Sequence, residues 1–338
     1  MTMDIRLLAV LMQWGYGKKE SGESGERSAF FDPMASICRE AKPFWYDEFL
    51  DDPARIEQEL ERTVADYAPD VIFFTTYKDQ FRPEFLDRLK TRATTIAWFG
   101  DDQWRFESYT RRYARHFSFC ATTDPWALDK YARLGAKAIL SQWAADPKLG
   151  AHDALPPDGS FRSNISFVGI RNEVRNWYVG RLQKEGIKVE CYGHGWPNGP
   201  LPAEKLSSFF QSSRINLNLS NSVQNDIGFI FAHPMNAARF LRSKKRVEQM
   251  KARNFEIPLA GGFELSHYAP GLEHYFDIGK EIAIFNSPEQ CAAQIRYYLA
   301  HPQERCAMAQ KAHERACREH TYEHRFRAVL EAALPGRQ

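Results

Sequence analysis

The sequence predicts an α/β protein made of two successive domains, each built around a parallel β-sheet. Three observations support this prediction. Short apolar runs alternate with helical patterns along the chain, which is typical of βαβ units. The alternation pauses in one polar stretch rich in Pro and Gly, between Ala145 and Ser163, and then restarts. A length of 338 residues also fits two domains of ordinary size.

The elements follow from these patterns in chain order. In the first half the predicted strands are Ile5–Met12, a weaker one at Pro43–Tyr46, Val71–Thr76, Thr95–Phe99, Phe117–Thr122 and Ala138–Ser141. The predicted helices there are Pro53–Tyr67, Pro83–Lys90, Trp104–Arg115 and Pro125–Leu134. In the second half the predicted strands are Ile165–Val168, Lys188–Tyr192, Ile215–Leu219 and Glu281–Phe285. The predicted helices are Val174–Lys184, Ala203–Gln211, Pro288–Ala300 and most of residues 302–330.

The domain boundaries follow from the same reading. We predict an N-terminal domain over residues 1–150, a second domain over residues 151–318, and a C-terminal helix over residues 319–338 that packs back on the N-terminal domain. Ligands of open parallel sheets bind beyond the carboxyl ends of the strands, and two such domains facing each other would form a cleft. Functional residues are therefore expected directly after strands.

Composition argues against several classes of protein. The formal net charge is only +2, with acids and bases interspersed, so nucleic acid is not an expected partner. The first apolar run has no cleavage site and predicts a strand, and no run reaches the length of a membrane span. Six scattered cysteines indicate free thiols and a cytoplasmic protein. The basic stretches YTRRYARHF and RSKKR allow peripheral contact with the inner face of a membrane, although a solvated helix face is the usual explanation of such a charge run.

The loop after the first strand is a candidate acceptor-side contact. Gly15 and Gly17 allow close approach of a ligand to the backbone, Lys18 would attract an anion, and Trp14 precedes them. The spacing is not G-x-G-x-x-G because Glu20 stands at the last position, so a dinucleotide site is disfavoured. A flexible surface loop remains an equal alternative.

The strand at Thr95–Phe99 runs into a second candidate. Asp101 and Asp102 would be presented at the carboxyl end of that strand, with Trp104 beside them. One of the two carboxylates would serve simply as the cap of the following helix. Two carboxylates and an indole exceed what a cap needs, so this loop is also expected to contact a ligand.

The second half offers a cationic candidate. Gly169 follows a strand directly, and Arg171 and Arg175 stand at the opening of the next helix, where backbone N–H groups and guanidinium groups would bind a phosphate. His194 lies between two glycines after the next strand and is a weaker candidate, because a lone histidine is more often structural. Solvated charges on a helix face are the alternative for both arginines.

Three carboxylates recur at an even step further on. Glu248, Glu256 and Glu264 are eight residues apart, and Gly261 and Gly262 lie between the last two. On a helix a step of eight residues turns about 80° beyond two full turns, so the three side chains cannot share one face. At most one or two of them would meet the same ligand.

The sequence does not predict a metal site, since it holds no D-x-D, no H-E-x-x-H and no Cys/His cluster.

The C-terminal third resembles a known family. The segments KARNFEIPLAGGFELSHYAPGLEHYF, GKEIAIFNSPEQCAAQIRYYLAHPQER and HTYEHRF resemble, in order, the group 1 glycosyl transferase domain of the spore-maturation (CgeB-like) proteins. The N-terminal half is similar more loosely, through APDVIFF and AWFGDD. The resemblance implies a GT-B glycosyltransferase, with two Rossmann-like domains and a cleft between them. It also implies a nucleotide-diphosphate-sugar donor, held mainly by the second domain, and no metal or other cofactor.

The resemblance also implies roles for individual residues. Glu256 matches the second Glu of an E-x7-E motif and would bond the donor ribose, while Glu248 occupies the first Glu position. Glu264 falls beyond the motif. Arg171 would lie near the diphosphate, with Lys251 or Arg253 as a second cation. The remaining residues predicted on the donor side are Gly169, Arg175, His194, Gly261 and Gly262.

The implied stereochemistry is retention, because relatives with this motif retain the anomeric configuration. An inverting enzyme would need a base for the acceptor hydroxyl, and Asp101 or Asp102 would serve, so the predicted catalytic residues are Asp101, Asp102 and Arg171. Two other readings stay open: an epimerase or phosphorylase of the same fold, and a non-catalytic nucleotide-binding scaffold. The acceptor, the sugar, the nucleobase and the oligomeric state are not specified by the sequence.

Overall fold

The chain forms two compact units. The computed structural model describes residues 2–150, 161–219, 226–245 and 247–336. Unit 1 consists of Met1–Trp143 together with Tyr322–Gln338, and unit 2 of Ala144–Thr321. The predicted boundaries after residues 150 and 318 differ from these by a few residues. Most of the predicted linker, residues 151–160, lies outside the described residues.

Unit 1 contains a parallel sheet of six strands in the order β2-β1-β3-β4-β5-β6. Its strands are β1 Met3–Leu11, β2 Cys38–Trp45, β3 Val71–Thr75, β4 Thr94–Phe99, β5 Phe119–Thr122 and β6 Ala138–Leu140. Leu8 of β1 pairs with Lys42 of β2 on one side and Ile72 of β3 on the other. The central strands are buried on both faces, which explains why they appear in the sequence as unbroken apolar runs.

Unit 2 contains a parallel sheet of five strands in the order β11-β10-β9-β7-β8. These are β7 Ser163–Val168, β8 Glu190–Tyr192, β9 Ser213–Asn218, β10 Glu264–His267 and β11 Ala283–Phe285. The strand β10 was not predicted from the sequence. Its four residues begin with a carboxylate, and only contacts made by Asn218 and Asn254 allow Glu264 to be buried there.

The helices flank the strands. They are α1 Asp32–Ile37, α2 Pro53–Tyr67, α3 Pro83–Lys90, α4 Asp102–Arg105, α5 Arg111–Tyr113, α6 Leu128–Arg133, α7 Glu173–Lys184, α8 Leu206–Gln211, α9 Ile227–Ala232, α10 Pro234–Arg242, α11 Arg253–Leu259, α12 Pro288–Ala300, α13 Pro302–Glu319 and α14 Tyr322–Ala333. The single helix predicted over Trp104–Arg115 is interrupted by a π-helical turn at Phe106–Thr110, where Phe106, Tyr109 and Thr110 have low helix propensity.

The C-terminal helix α14 belongs to the core of unit 1. The ring of Phe326 packs against Phe30, Phe73 and Trp98, with centroid distances of 5.1, 5.4 and 6.0 Å. Phe326 is fully buried as a result. The last described segment of the chain therefore supplies apolar contacts to the first sheet.

Both sheets have one topological switch point. In unit 1 the chain passes from β1 to β2 on one side and then returns to β3 on the other side of β1. In unit 2 the same change occurs between β7 and β9. Ligands of open α/β sheets bind at the carboxyl ends of the strands beside such a point. The two positions to examine are therefore the ends of β1 and β3 and the ends of β7 and β9.

The six cysteines are all described and are free thiols, as the sequence predicted. None of the helices in the described ranges has the length and apolar character that crossing a bilayer would require. The α/β class with two parallel sheets is thus observed directly in the strand pairing.

Candidate functional site

Arg175 lies at the switch point of unit 2. It stands in the first turn of α7, where Asn172 caps the helix by accepting a hydrogen bond from the Arg175 N–H at 2.9 Å. Its guanidinium donates to the carbonyl of Ile170 after β7, at 2.8 Å, and to that of Leu219 after β9, at 3.0 Å. A Cβ at Gly169 would lie 3.2 Å from this guanidinium, so the glycine leaves room for it. The guanidinium therefore joins the two strand ends.

A second guanidinium lies close enough to influence the first. The pKa of Arg175 is lowered to about 10, mainly by burial and also by the positive charge of Arg253, while the carboxylate of Glu248 acts in the opposite sense. Arg253 opens α11, lies 5.1 Å from the ring of Phe210, and contacts a carboxylate oxygen of Glu256 at 2.7 Å. We call Arg175, Glu248, Arg253 and Glu256 the arginine cluster. An anion bound there would relieve the repulsion between the two guanidinium groups.

Glu248 contributes an oxygen that lacks a partner. Its Oε1 atom lies 3.7 Å from Nδ1 of His267, at the end of β10. Its Oε2 atom is buried and accepts no hydrogen bond from the described residues. Leaving a buried acceptor unsatisfied costs about 1–3 kcal/mol. A hydroxyl group of a ligand would satisfy this oxygen, so Glu248 is a stronger candidate than its sequence surroundings suggested.

Glu264 supports the cluster from within the sheet. Its Oε1 accepts hydrogen bonds from Asn218 at 2.8 Å and from Asn254 at 3.0 Å, and burial raises its pKa to about 8. The side chain of Asn254 in turn accepts a hydrogen bond from the N–H of Lys251 at 3.1 Å. Glu264 therefore helps to set the backbone from which Lys251 and Arg253 project, a positioning role that the sequence did not suggest.

Gly261 and Gly262 have a structural role. Gly261 has a φ of +79°, which ends α11 in a conformation that favours glycine. A Cβ at Gly262 would lie 2.7 Å from Nδ2 of Asn216 in β9. Both glycines are buried and close α11 against the sheet, and their predicted contact with the donor stays a prediction.

Arg171 and His194 lie on neighbouring exposed loops. The backbone N–H of Arg171 donates to the carbonyl of His194 at 2.9 Å. The guanidinium of Arg171 donates to Asn176 at 2.7 and 3.1 Å and lies 5.4 Å from the ring of Trp196. Both side chains face solvent beside the ends of β7 and β8. Arg171 is therefore less buried than Arg175 and is held by neutral groups.

In unit 1 Asp102 is buried, and its predicted catalytic role stays a prediction. Only 1% of its surface is exposed, and its carboxylate accepts hydrogen bonds from the hydroxyl groups of Thr110, Thr122 and Tyr131 at 2.6–2.7 Å. Burial raises its pKa to about 6. All three donors come from the protein, so this carboxylate stabilises the interior of unit 1. Asp101 precedes α4 and is partly exposed, as is Trp104 in that helix.

The carboxylate at the switch point of unit 1 belongs to Glu26, which the sequence analysis missed. Its Oε2 accepts hydrogen bonds from the N–H of Met12, after β1, at 2.7 Å and from the hydroxyl of Thr75, in β3, at 2.6 Å. Burial raises its pKa to about 7, and the nearby charge of Asp47 acts in the same sense. Glu26 follows Glu20 and Glu23 in the sequence, and its position relative to them does not single it out.

The predicted acceptor loop folds against Asp47 and Leu50. The Asp47 carboxylate accepts hydrogen bonds from the N–H groups of Gln13 and Trp14, at 2.9 and 2.8 Å. Gly17 has a φ of +70°, and a Cβ there would lie 2.2 Å from the side chain of Leu50. A Cβ at Gly15 would lie 3.1 Å from Ser21. Packing of the loop alone therefore explains both glycines.

Lys18 lines a cavity of about 1070 Å³ in unit 1. The cavity lies among the loops that follow β1, β3 and β4, and its cationic side chains are Lys18, Lys78, Arg105 and Arg112. Arg112 is paired with Asp79 at 3.1 Å. The rings of Tyr16, Tyr77 and Tyr109 complete an aromatic and basic wall. Such a wall suits a ligand that has both an apolar ring face and a negative charge.

Two further features of the described residues concern metal ligands and a second cavity. Within residues 2–150, 161–219, 226–245 and 247–336, no group of three or more His, Cys, Asp or Glu side chains is arranged to hold a metal ion. A second cavity of about 570 Å³ runs along β7 and the edge strand β8 in unit 2. No member of the arginine cluster lines it. We assign the site by charge and topology and not by this cavity.

Comparison with known proteins bears on these assignments. Residues 175–331, less than half of the chain, match a family model described as glycosyl transferase-like. No curated protein matches the chain in sequence. The matched segment begins at Arg175 and includes the whole arginine cluster. It agrees with the predicted glycosyltransferase class but does not extend to the spore-maturation subtype.

Solved structures share the fold over nearly the whole chain. Sucrose-phosphate synthase from Thermosynechococcus elongatus is 10% identical, with 97% of both chains covered and a TM-score of 0.65. Anabaena HepE, solved with UDP and glucose, is 11% identical, with 98% of this chain and 100% of that chain covered and a TM-score of 0.65. A UDP-N-acetylglucosamine 2-epimerase from Listeria monocytogenes, described as putative, is 10% identical, with 97% and 95% covered and a TM-score of 0.53.

At these identities the likeness concerns the fold, and it confirms the predicted GT-B type with two Rossmann-like units. The solved structures thus agree with the fold, and the family model alone bears on the glycosyltransferase class. Residues 175–331 form a glycosyl transferase-like segment within a GT-B fold.

Proposed function

We propose that the protein is a glycosyltransferase that moves a sugar from a nucleoside-diphosphate sugar to an acceptor hydroxyl. The observation that supports this most directly is the placement of Arg175, whose guanidinium joins the ends of β7 and β9 with a second guanidinium close by. Cleavage of the bond between the anomeric carbon and the diphosphate leaves negative charge on the phosphate. Fixed cations stabilise that charge in the transition state.

The arginine cluster divides into two chemical parts in this proposal. Arg175 and Arg253 bind the diphosphate, and an arginine can grip two phosphate oxygens at once. Glu248 and Glu256 accept hydrogen bonds from hydroxyl groups of the ribose or the sugar. The complex of HepE with UDP and glucose supports a nucleotide-sugar ligand for this fold. Because two guanidinium groups supply the positive charge, we propose that the reaction needs no metal ion.

Unit 1 supplies the acceptor contacts in this proposal. We propose Glu26 instead of Asp102 as the carboxylate that receives the acceptor hydroxyl. Protein donors occupy both oxygens of Asp102, whereas the hydrogen bonds from Met12 and Thr75 both go to Oε2 of Glu26, so its Oε1 would receive the hydroxyl. We propose retention of configuration, with the proton of the acceptor passing to the departing phosphate oxygen. Glu26 then orients the hydroxyl. An inverted product would instead assign Glu26 the role of general base.

The cavity of unit 1 supports a class of acceptor. Lys18, Lys78 and Arg105 make no ion pair with a carboxylate of the described residues, whereas the nearby Arg112 does. A carboxylate or phosphate on the acceptor would neutralise these charges, while the tyrosine rings would cover a sugar face. We therefore propose an anionic carbohydrate or metabolite as acceptor.

The first test is donor binding. We expect thermal unfolding of the purified protein to shift upwards with one member of a panel of UDP, GDP, dTDP, CMP and ADP, in the presence of EDTA. Glu256→Ala should reduce this shift, and the surface variant Glu204→Ala should not. Binding that is lost in EDTA would overturn the metal-free proposal. The absence of any shift up to millimolar nucleotide would favour a scaffold without a nucleotide site.

A nucleotide-sugar epimerase is the second candidate, because a structure with that putative assignment shares the fold. The two candidates differ in their need for an acceptor. Conversion of the donor sugar into its epimer without added acceptor, followed by NMR, would favour the epimerase. Release of the nucleoside diphosphate that depends on an acceptor, with a new glycoside in the product, would favour the transferase.

A further inference from the structure

The helices α9 and α10 of unit 2 expose an unusual amount of apolar surface. Ile227 and Phe231 on α9 are 71% and 81% exposed, and Leu241 on α10 is 75% exposed. Met235, at the start of α10, is 54% exposed. Several large apolar side chains exposed so close together in sequence indicate an interaction surface.

The helices that carry these exposed side chains are capped and packed against unit 2. The Asp226 side chain caps α9 by accepting from the N–H of Phe229 at 3.1 Å, and His233 caps α10. Phe229 is buried, and its ring lies 5.6 Å from that of Trp177 on α7. Asn236 donates to the carbonyl of Phe229 at 2.9 Å and links the two helices. Phe229 thus anchors α9, while Ile227 and Phe231, four residues apart and therefore on one face of that helix, are exposed.

The charges of this segment have one sign. Residues 227–247 contain five Lys or Arg residues and no Asp or Glu. Arg239 is paired with Glu173 of α7 at 2.9 Å. Arg242 and Lys244 are exposed at the end of α10 and just beyond it, next to Leu241. The apolar surface is therefore bordered by positive charge.

We propose that the α9–α10 hairpin docks on the surface of an anionic lipid bilayer. Ile227, Phe231 and Leu241 enter the boundary between headgroups and acyl chains, and Arg242 and Lys244 bind the lipid headgroups. This combination of bulky apolar side chains and basic residues on short helices is the one that interfacial binding requires. A second copy of the chain is a poorer occupant, because the same positive charges would face each other. The proposal does not depend on the glycosyltransferase activity.

Vesicle binding tests the proposal with the full-length protein. We expect it to sediment with phosphatidylcholine vesicles that contain about a quarter phosphatidylglycerol at physiological salt, and much less with phosphatidylcholine alone. The variant Ile227→Ser/Phe231→Ser/Leu241→Ser should bind at least roughly tenfold more weakly, and so should Arg242→Glu/Lys244→Glu. The matched controls are Trp126→Ser/Leu140→Ser and Arg181→Glu/Lys184→Glu, which should bind as the wild type does. Trp126 and Leu140 are exposed apolar residues of unit 1.

A second readout reports insertion directly. Phe231→Trp places an indole at the most exposed apolar position of the hairpin. Its emission should shift to shorter wavelength with anionic vesicles and be quenched by brominated acyl chains, relative to the wild type. Wild-type protein that fails to bind anionic vesicles would overturn the proposal. So would equal binding by the hairpin variants, or a lipid-independent dimer in light scattering that these variants dissociate.

Discussion

The carboxylate of Glu26 accepts a hydrogen bond from the hydroxyl of Thr75 at 2.6 Å. Through this bond and the one from Met12, an acidic side chain joins the ends of β1 and β3. Arg175 does the same for β7 and β9 in unit 2 with a basic side chain. The two switch points thus have opposite chemistry. We propose that the Glu26 carboxylate orients the incoming hydroxyl and that the Arg175 guanidinium stabilises the negative charge on the departing phosphate.

The first prediction concerns Arg253. Arg253→Gln removes a cation from the proposed diphosphate site, so the Kd for the preferred nucleoside diphosphate should rise about tenfold or more, equivalent to about 1.4 kcal/mol. Calorimetric titration measures this change. Arg181→Gln is the matched control, since Arg181 is an exposed arginine paired with Glu289 on the same unit. Equal affinity of the Arg253 variant and the wild type would remove Arg253 from the site.

The second prediction concerns the pH dependence of activity. A carboxylate that receives a hydroxyl must be ionised, so kcat/KM should rise with pH through about 7, the raised pKa of Glu26. Glu26→Gln should lower kcat/KM by about 10–10², the loss of one hydrogen bond to a charged group, and abolish this acidic limb, while nucleotide affinity stays unchanged. Initial rates between pH 5 and 9, with Glu20→Gln as control, test both expectations. An acidic limb that persists in the Glu26 variant would assign it to another group.

The third prediction concerns stability and Glu264. Its pKa is raised from 4.5 to about 8 in the folded protein, so at intermediate pH the folded state holds a proton that the unfolded state has lost. Stability from this group is therefore fully present below about pH 4.5 and is lost as the pH rises towards 8. Glu264→Gln should remove this pH dependence and keep the hydrogen-bonded network largely intact. Urea unfolding of wild type and variant at several pH values measures the difference.

The control for that measurement is Glu204→Gln, because Glu204 is exposed on the same unit. The free energy of unfolding of the wild type, relative to the Glu264 variant, should fall between about pH 5 and pH 8. A constant difference over this range would show that Glu264 is already ionised in the folded protein.

The fourth prediction concerns Asp102, after β4, and asks whether its carboxylate stabilises the fold or takes part in catalysis. Asp102→Ala leaves the buried hydroxyl of Tyr131 and those of two threonines without their acceptor, so the free energy of unfolding should fall by about 2–4 kcal/mol. Nucleotide affinity of the folded fraction should not change. Asp129→Ala, at an exposed position of α6, should change the stability by less than about 0.5 kcal/mol. Unchanged stability with lost activity in the Asp102 variant would restore its catalytic assignment.

The class of fold and the candidate Arg175 could be predicted from the sequence. Strand and helix alternation is local, so the two parallel sheets, the helices α2, α3 and α12, and the candidate Arg175 at a strand end could all be predicted. The strand β10 could not, because burial of Glu264 depends on amides supplied by Asn218 and Asn254. Residue type and spacing carry no information about partners that are remote in sequence.

The hydrogen-bond partners of each carboxylate became visible only when the fold had brought distant segments together. Asp102 follows β4 closely in the sequence. In the fold its carboxylate accepts hydrogen bonds from the hydroxyl groups of Thr110, Thr122 and Tyr131. No sequence pattern marks Glu26. In the fold the ends of β1 and β3 bring Met12 and Thr75 within hydrogen-bonding distance of its carboxylate. The physical reason is that desolvation and hydrogen bonding set the state of a carboxylate. Both depend on which segments the fold brings together.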